Sequence, residues 1–227
     1  MPPHPEHLIK SYDDELSRLT DEIIDMGNLA AAQLDAAMDA VARLDTDKAR
    51  AVIAGDDAID AMEHAIGHDV VRLLALRAPM ARDLREVFAA LRIASDIERI
   101  GDYAGNIANR VQTLAESRPV APARRLHSLA SLASMAVHET LAAYRDRDVE
   151  RARNAWAADD DLDAAYTSVF RELLTYMMED PTSITACTHL LFIAKHIERI
   201  GDHATNIAES VAFAATGETL PNSNVQA

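Results

Sequence analysis

Aromatic residues make up only 4% of this 227-residue chain, glycine occurs 7 times and cysteine once. Strands favour aromatic and β-branched side chains, so the scarcity of aromatics argues against a β-rich fold. With few glycines and an apolar fraction weighted to alanine and leucine, the composition favours helix. Cys187, the lone cysteine, can form no disulfide within the chain and argues against a cysteine-based zinc site. That usage agrees with a reducing cytoplasm. No apolar run approaches the roughly 20 residues that span a bilayer. Met1 to Lys10 has neither the basic nor the apolar region of a signal peptide. A cytoplasmic protein with no membrane insertion is therefore expected.

Positive charge is also short: 22 Lys and Arg stand against 37 Asp and Glu, a formal net charge of -15. Such a surface repels nucleic-acid phosphates and anionic lipid head groups unless a local basic patch overrides it. We expect no nucleic-acid partner, and look instead to cations or basic protein surfaces. What the chain has in quantity is apolar residues, 49% of the total, enough for a substantial core.

From Leu16 the apolar positions Leu19, Ile23, Met26, Ala30, Leu34, Ala37, Val41 and Leu44 follow at helical spacing. Asp45-Thr46-Asp47 supplies a turn and a capping side chain. Ile59, Met62, Ile66, Val70 and Leu73 then make a second stripe that should stop near Arg77, before Pro79. A third helix is predicted from about Ala81 to Ser117, with Leu84, Val87, Leu91, Ile97, Ile100, Ala104, Ile107 and Val111 on its inner side. Pro119 and Pro122 mark a boundary near residues 118 to 124. The second half repeats the order: a helix from about Arg125 to Tyr144, a turn at Asp146-Arg147-Asp148, a helix to about Met178, and a last helix from Pro181 fading near Gly217. The expected fold is all-α, two tandem antiparallel three-helix bundles of six helices, over residues 5-118 and 124-217. The tail from Glu218 to Ala227 is expected to fray.

The halves are related in sequence as well as in pattern. Ile97 to Val111 and Ile197 to Val211 agree at 11 of 15 positions, which favours duplication. Asp56-Asp57-Ala58-Ile59-Asp60 likewise resembles Asp159-Asp160-Asp161-Leu162-Asp163. Within these segments lie four carboxylate pairs at i, i+4: Asp56 with Asp60, Glu98 with Asp102, Asp159 with Asp163, and Glu198 with Asp202. That spacing sets two carboxylates on one helix face, about 6 Å apart along the axis. Two such pairs on adjacent helices can surround a cation, and like charges so gathered are unfavourable unless something neutralises them. A solvated acidic face balanced by Arg99, Arg199 and other bases is the plain alternative.

At about 100° per residue, Glu198, Asp202 and Glu209 fall far from the stripe of Ile197, Ile200, Ala204, Ile207 and Val211. An outward or groove site is expected rather than one in a bundle centre. Hard oxygen donors suit magnesium, manganese or ferric iron, in one-ion or multinuclear form. His196 and His203, off the acidic stripe, read as surface or core-edge residues, and His64 and His68 are ambiguous. Gly101 and Gly201 inside helices each cost about 1 kcal/mol relative to alanine, which close helix packing or a hinge would have to justify. Arg72, Arg77, Arg82, Arg85 and Arg92 bracket the Pro79 turn, as a solvated end or as a receptor for an acidic partner.

The doubled Ile-Glu-Arg-Ile-Gly-Asp, the run Arg77-Ala-Pro-Met-Ala-Arg-Asp-Leu-Arg85 and Tyr176-Met-Met-Glu-Asp-Pro181 resemble the PhoU family over about residues 8 to 217. The resemblance implies a non-enzymatic regulator of phosphate uptake that represses the phosphate-starvation regulon. It implies two partners, the ATPase subunit of the phosphate transporter and a phosphate-responsive sensor histidine kinase, and we expect a homodimer. It implies metal ions on oxygen ligands, magnesium, manganese, iron or zinc. By position the implied ligands are Asp56, Asp60, Glu98 and Asp102, then Asp159, Asp163, Glu198 and Asp202. A one-residue shift at Asp56 and Asp159 stays open. Tyr103 stands where the second half has His203, and Asn109 where it has Glu209, so the two sites are expected to differ in affinity.

Two rivals remain: a metal-free helical scaffold and a carboxylate-bridged di-iron oxidase. The latter normally uses inward Glu-x-x-His motifs, and no glutamate here has histidine three residues later.

Overall fold

The computed structural model describes residues 5-117, 120 and 123-220. The first half is α1 (Pro5–Arg43), α2 (Thr46–Arg77), α3 (Arg82–Ala108) and the short α4 (Val111–Ala115). The second is α5 (Ala123–Asp146), α6 (Val149–Ala157), α7 (Asp159–Glu179), a 3-10 turn (Pro181–Ser183) and α8 (Ile184–Thr216). These elements make the six expected rods, two of them interrupted. The third rod breaks at Asn109 and Arg110 between α3 and α4, and the fifth breaks at Ala158 between α6 and α7. The expected boundary at Pro119 and Pro122 lies outside the described residues. So does the tail beyond Leu220, although Leu220 itself is buried rather than frayed.

The turns within each half use one device twice. Leu44 takes φ 54° and Arg147 φ 53°, left-handed values that reverse the chain. The aspartate that follows then caps the next helix. The Asp45 side chain accepts from the amides of Asp47 and Lys48 at 3.1 and 2.9 Å, and Asp148 accepts from Arg151 at 3.0 Å. Each satisfies amides that the first turn of a helix leaves unpaired. At the far end Gly217, at φ 80°, closes α8.

The most extensive helix contact joins α3 to α8, and α1 also packs on α5. Helices α1, α3, α5 and α8 therefore ring a single core, in which Ile23, Met26, Leu34, Ile93, Ile97, Ile100, Leu126, Ile197 and Ile200 are all buried. Helix α2 lies outside against α1 and α3, and α6 and α7 lie outside against α5 and α8. The two three-helix units thus share their inner faces. Leu84 and Leu91 depart from the expected inner stripe, being 45% and 36% exposed. At about 100° per residue they fall roughly opposite Ile97 and Ile100, so the packed face leaves them outside.

Gly101 and Gly201 mark where the outer helices come closest. A Cβ on Gly101 would stand 2.8 Å from Cδ1 of buried Ile59, and one on Gly201 would overlap the Leu162 side chain. Close packing is thus the compensation for both glycines. Gly67, also helical, has nothing within 4 Å of its missing Cβ. Gly201→Ala should therefore lose about 1 kcal/mol net, overpacking outweighing the gain in helix propensity. Gly67→Ala should gain up to about 1 kcal/mol, and urea unfolding of the two variants checks the opposite signs.

Candidate metal-binding grooves

The same close contact builds both acidic grooves. With Ile59 seated on Gly101, Asp56 one turn earlier on α2 is carried over the glycine edge of α3. Its Oδ1 lies 3.3 Å from where a Gly101 Cβ would be, and its Oδ2 3.6 Å from that of Gly105. In the second half Leu162 sits on Gly201, and Asp159 Oδ1 lies 3.5 Å from the equivalent point. The register is therefore Asp56 with Asp159 and Asp60 with Asp163, as the sequence alignment has it. Glu98 and Asp102 face the first outer helix, and Glu198 and Asp202 the second. All eight residues fall along these two grooves, away from the shared core; Asp163 is the most open of them and the other seven are partly buried.

The carboxylates feel one another. Asp56 is pushed above the ordinary aspartate range by partial burial, then by Asp102, Asp60 and Asp57. Glu98 is raised by burial and by Asp102, against a lowering by Arg99. Asp159 is raised furthest, to about 6, by burial and then by Asp163 and Asp202. Asp163 and Asp202 also rise, burial first and Glu198 second. Such shifts mark anionic charge that the surroundings leave underneutralised.

What neutralisation exists comes from bases on the inner helices. Arg99 reaches Glu98 at 3.3 Å and Asp102 at 2.8 Å, and Arg199 reaches Asp202 at 3.4 Å. Among the described residues no three His, Cys, Asp or Glu side chains converge closely enough to hold one ion in this arrangement. The donor set nevertheless suits a hard cation. Every donor is a carboxylate oxygen, Asp60 Oδ1 is buried without a hydrogen-bond partner, and Gly105 leaves space over Asp56. Enclosing an ion would require Glu98 and Asp102 to turn away from Arg99.

The differences expected to distinguish the sites lie elsewhere. Tyr103 and His203 sit in the antiparallel seam between α3 and α8. There His203 Nδ1 is 2.9 Å from Asp96 Oδ1, and Tyr103 stacks at 5.5 Å on His196 and 5.7 Å on His203. Glu209 accepts from Trp156 Nε1 at 3.3 Å. The histidines are seam residues, as read, and the grooves differ through residues the sequence reading passed over. Lys195 Nζ lies 2.5 Å from Glu198 and 5.4 Å from the Tyr166 ring centre, and the Thr205 hydroxyl, which donates to the Gly201 carbonyl at 3.1 Å, acts to lower Asp159. Of the arginines around Pro79, Arg72 is held by Asp69 at 3.2 Å, Arg77 by Glu15 at 2.7 Å and Arg82 by Glu86 at 2.9 Å. These three are engaged by the protein's own acids.

A doubled helical bundle with carboxylates along two equivalent grooves is the class of structure this chain forms. The PhoU domain matches residues 23–111 and 126–211, one copy in each half, and the chain belongs to the PhoU family. It is 55% identical over 214 residues to a phosphate-specific transport system accessory protein PhoU homolog of Xylella fastidiosa Temecula1, covering 94% of this chain and 89% of that protein. A Caulobacter vibrioides NA1000 protein of the same description is 48% identical, covering 95% and 94% of the two chains. The crystal structure of PhoU from Pseudomonas aeruginosa superposes with a TM-score of 0.87 at 35% identity, covering 91% of this chain and 100% of that one. The Streptococcus pneumoniae phosphate transport system regulatory protein PhoU gives 0.87 at 31% identity, with 93% and 100% covered.

The raised Asp159 has a consequence for stability. Its ordinary value is 3.8 and its folded value about 6, so the folded state holds a proton that the unfolded state has already released. Stability contributed by this group is therefore present at low pH and lost as pH rises from about 4 to about 6. In chelator, Asp159→Asn should flatten that part of the pH profile and raise the melting temperature at pH 7. Thermal unfolding across pH 4 to 8 checks both.

Proposed function

We propose that this chain is a regulatory accessory protein of phosphate transport whose acidic grooves bind metal ions, and that the metal-bound faces dock its partners. The observation that carries this reading is the doubled groove itself. Two copies of one packing arrangement hold carboxylates together at raised pKa with little counter-charge, and the first contains the orphaned Asp60 oxygen. Gathering like charge is unfavourable unless a cation relieves it, so the arrangement makes sense as a binding site rather than as a stabilising one. Asp56, Asp60, Glu98 and Asp102 would hold one ion or cluster, and Asp159, Asp163, Glu198 and Asp202 the other. Bound magnesium, manganese, iron or zinc would cancel part of the -15 charge and rigidify the outer helices against the inner ones.

The relatives are phosphate transport accessory and regulatory proteins by name, and the same role is assigned here by relationship. No helix of the described residues is long and apolar enough to cross a membrane; the transporter partner in this reading is its ATPase subunit. A sensor histidine kinase that reports phosphate is the second proposed partner, with cytoplasmic location following from both. Exposed side chains at the helix turns, Leu76 at 72%, Met80 at 80% and Met178 at 85%, offer apolar anchors for these proteins or for a second copy in a homodimer.

Metal content decides the central point. Wild-type protein purified without chelator should carry metal, and Glu98→Ala with Asp102→Ala should lose the share held by the first groove. Equal, substoichiometric metal in both would leave the metal-free scaffold as the better reading. Deleting the gene should release phosphate-starvation genes from repression in high phosphate, and continued repression would refute the regulatory role.

A further inference from the structure

The two grooves are not electrostatic copies. Under the structural register, three positions around the carboxylates change between halves. Ser95 of α3 corresponds to Lys195 of α8, Glu63 of α2 to Tyr166 of α7, and Gly105 to Thr205. Beside Glu198 the second groove gains a base and loses the acid at Glu63, and it gains a hydroxyl where the first leaves open space over Asp56; Ala58 to Asp161 adds an exposed acid further along the outer helix.

The new base and the new ring act as a pair. Lys195 Nζ hydrogen-bonds Glu198 Oε1 at 2.5 Å and lies as close to Oε2, which is buried without a hydrogen bond, and its ammonium stands 5.4 Å over Tyr166, within cation-π range. The ring fixes the flexible lysine stem that would otherwise stray into solvent. Lys195 also acts beyond its nearest partner, lowering both Asp163 and Asp202. In the first groove the corresponding positions do the reverse: Ser95 brings no charge, and Glu63 adds to the repulsion at Glu98.

We propose that Lys195, held by Tyr166 against Glu198, is a resident cation that competes with a metal ion for the second groove, a competitor that the first groove lacks. This rests on the metal-binding reading of the grooves. An entering ion at the second site must displace an ammonium tethered by Tyr166 from Glu198, whereas at the first it meets the untethered Arg99 guanidinium, which spans Glu98 and Asp102 at 3.3 and 2.8 Å. The two sites therefore fill in order, first groove before second.

Full-length protein stripped with chelator is titrated with Mn2+ alone, and its melting temperature is measured in chelator. The expected result is two affinity classes, the tighter abolished by Glu98→Gln. Lys195→Met, which keeps the stem on Tyr166 but removes the charge, should tighten the weaker class by about tenfold. Ser95→Lys should weaken the tighter class comparably, and Lys195→Arg should leave both near wild type. In chelator, Lys195→Met should melt earlier than wild type while Ser95→Ala does not. Unchanged Mn2+ binding and unchanged melting in Lys195→Met would overturn the proposal, as would weaker Mn2+ binding at the second site. If no variant binds Mn2+ yet Lys195→Met melts early in chelator, the resident-cation assignment stands and the metal reading of the first groove falls.

Discussion

Where Ile59 rests on Gly101 and Leu162 rests on Gly201, an outer helix lies so close to an inner one that a Cβ at either glycine would push the neighbouring side chain aside. The two helices of each pair are drawn together by burial of these apolar side chains, a non-directional force that takes no account of nearby charge. Carboxylates one turn away come along with them. Asp56 and Asp159 are brought to the glycine edge, partly stripped of water and set among other acids. The strained electrostatics of the grooves are thus a consequence of favourable packing, which is how a marginally stable fold can carry an unfavourable cluster.

The four inner helices make that burden tolerable. Because α1, α3, α5 and α8 close around one core, the outer helices need only be laid against a frame that is already packed. The seam between the halves is also polar where it reaches the surface, with Asp96 against His203 and Arg110 4.5 Å over the Phe192 ring. Such directional contacts fix the antiparallel register of α3 and α8, and with it the relative placement of the two grooves.

Much of this was legible from residue order. Stripes at helical spacing located the largest buried side chains of α1 and α2, Ile23, Met26, Leu34, Ile59 and Ile66, but passed over Ala31, Met38, Ala49 and Val52, while Asp45 capped a helix and Arg77 and Gly217 ended theirs where expected. The doubled glycine within helices pointed to close packing before any partner was known. Leu84 and Leu91 misled because an apolar residue looks inward until the angle of the whole helix is fixed by its neighbours. The breaks at Asn109 and Ala158 lack a proline or glycine to announce them. Lys195, Tyr166 and Thr205 could have been found by carrying the internal alignment beyond the carboxylates to their flanking positions. What no alignment could supply was that Lys195 turns toward Glu198 and lies over Tyr166, since that depends on how α7 packs on α8.

The internal repeat also separates what packing demands from what it leaves free. Gly101 and Gly201, with the isoleucines at 97, 100, 107, 197, 200 and 207, are the same in both halves and sit where a change of volume would be felt at once. The acids beside them are kept as well, though nothing in the packing requires a charge there. Divergence begins at the groove rim, where a side chain can gain or lose a charge without moving a helix. A duplicated bundle of this kind holds one geometry in two electrostatic versions, and the difference between them resides in residues at the edge of the core, Tyr166 packing against it and Lys195 lying over that ring.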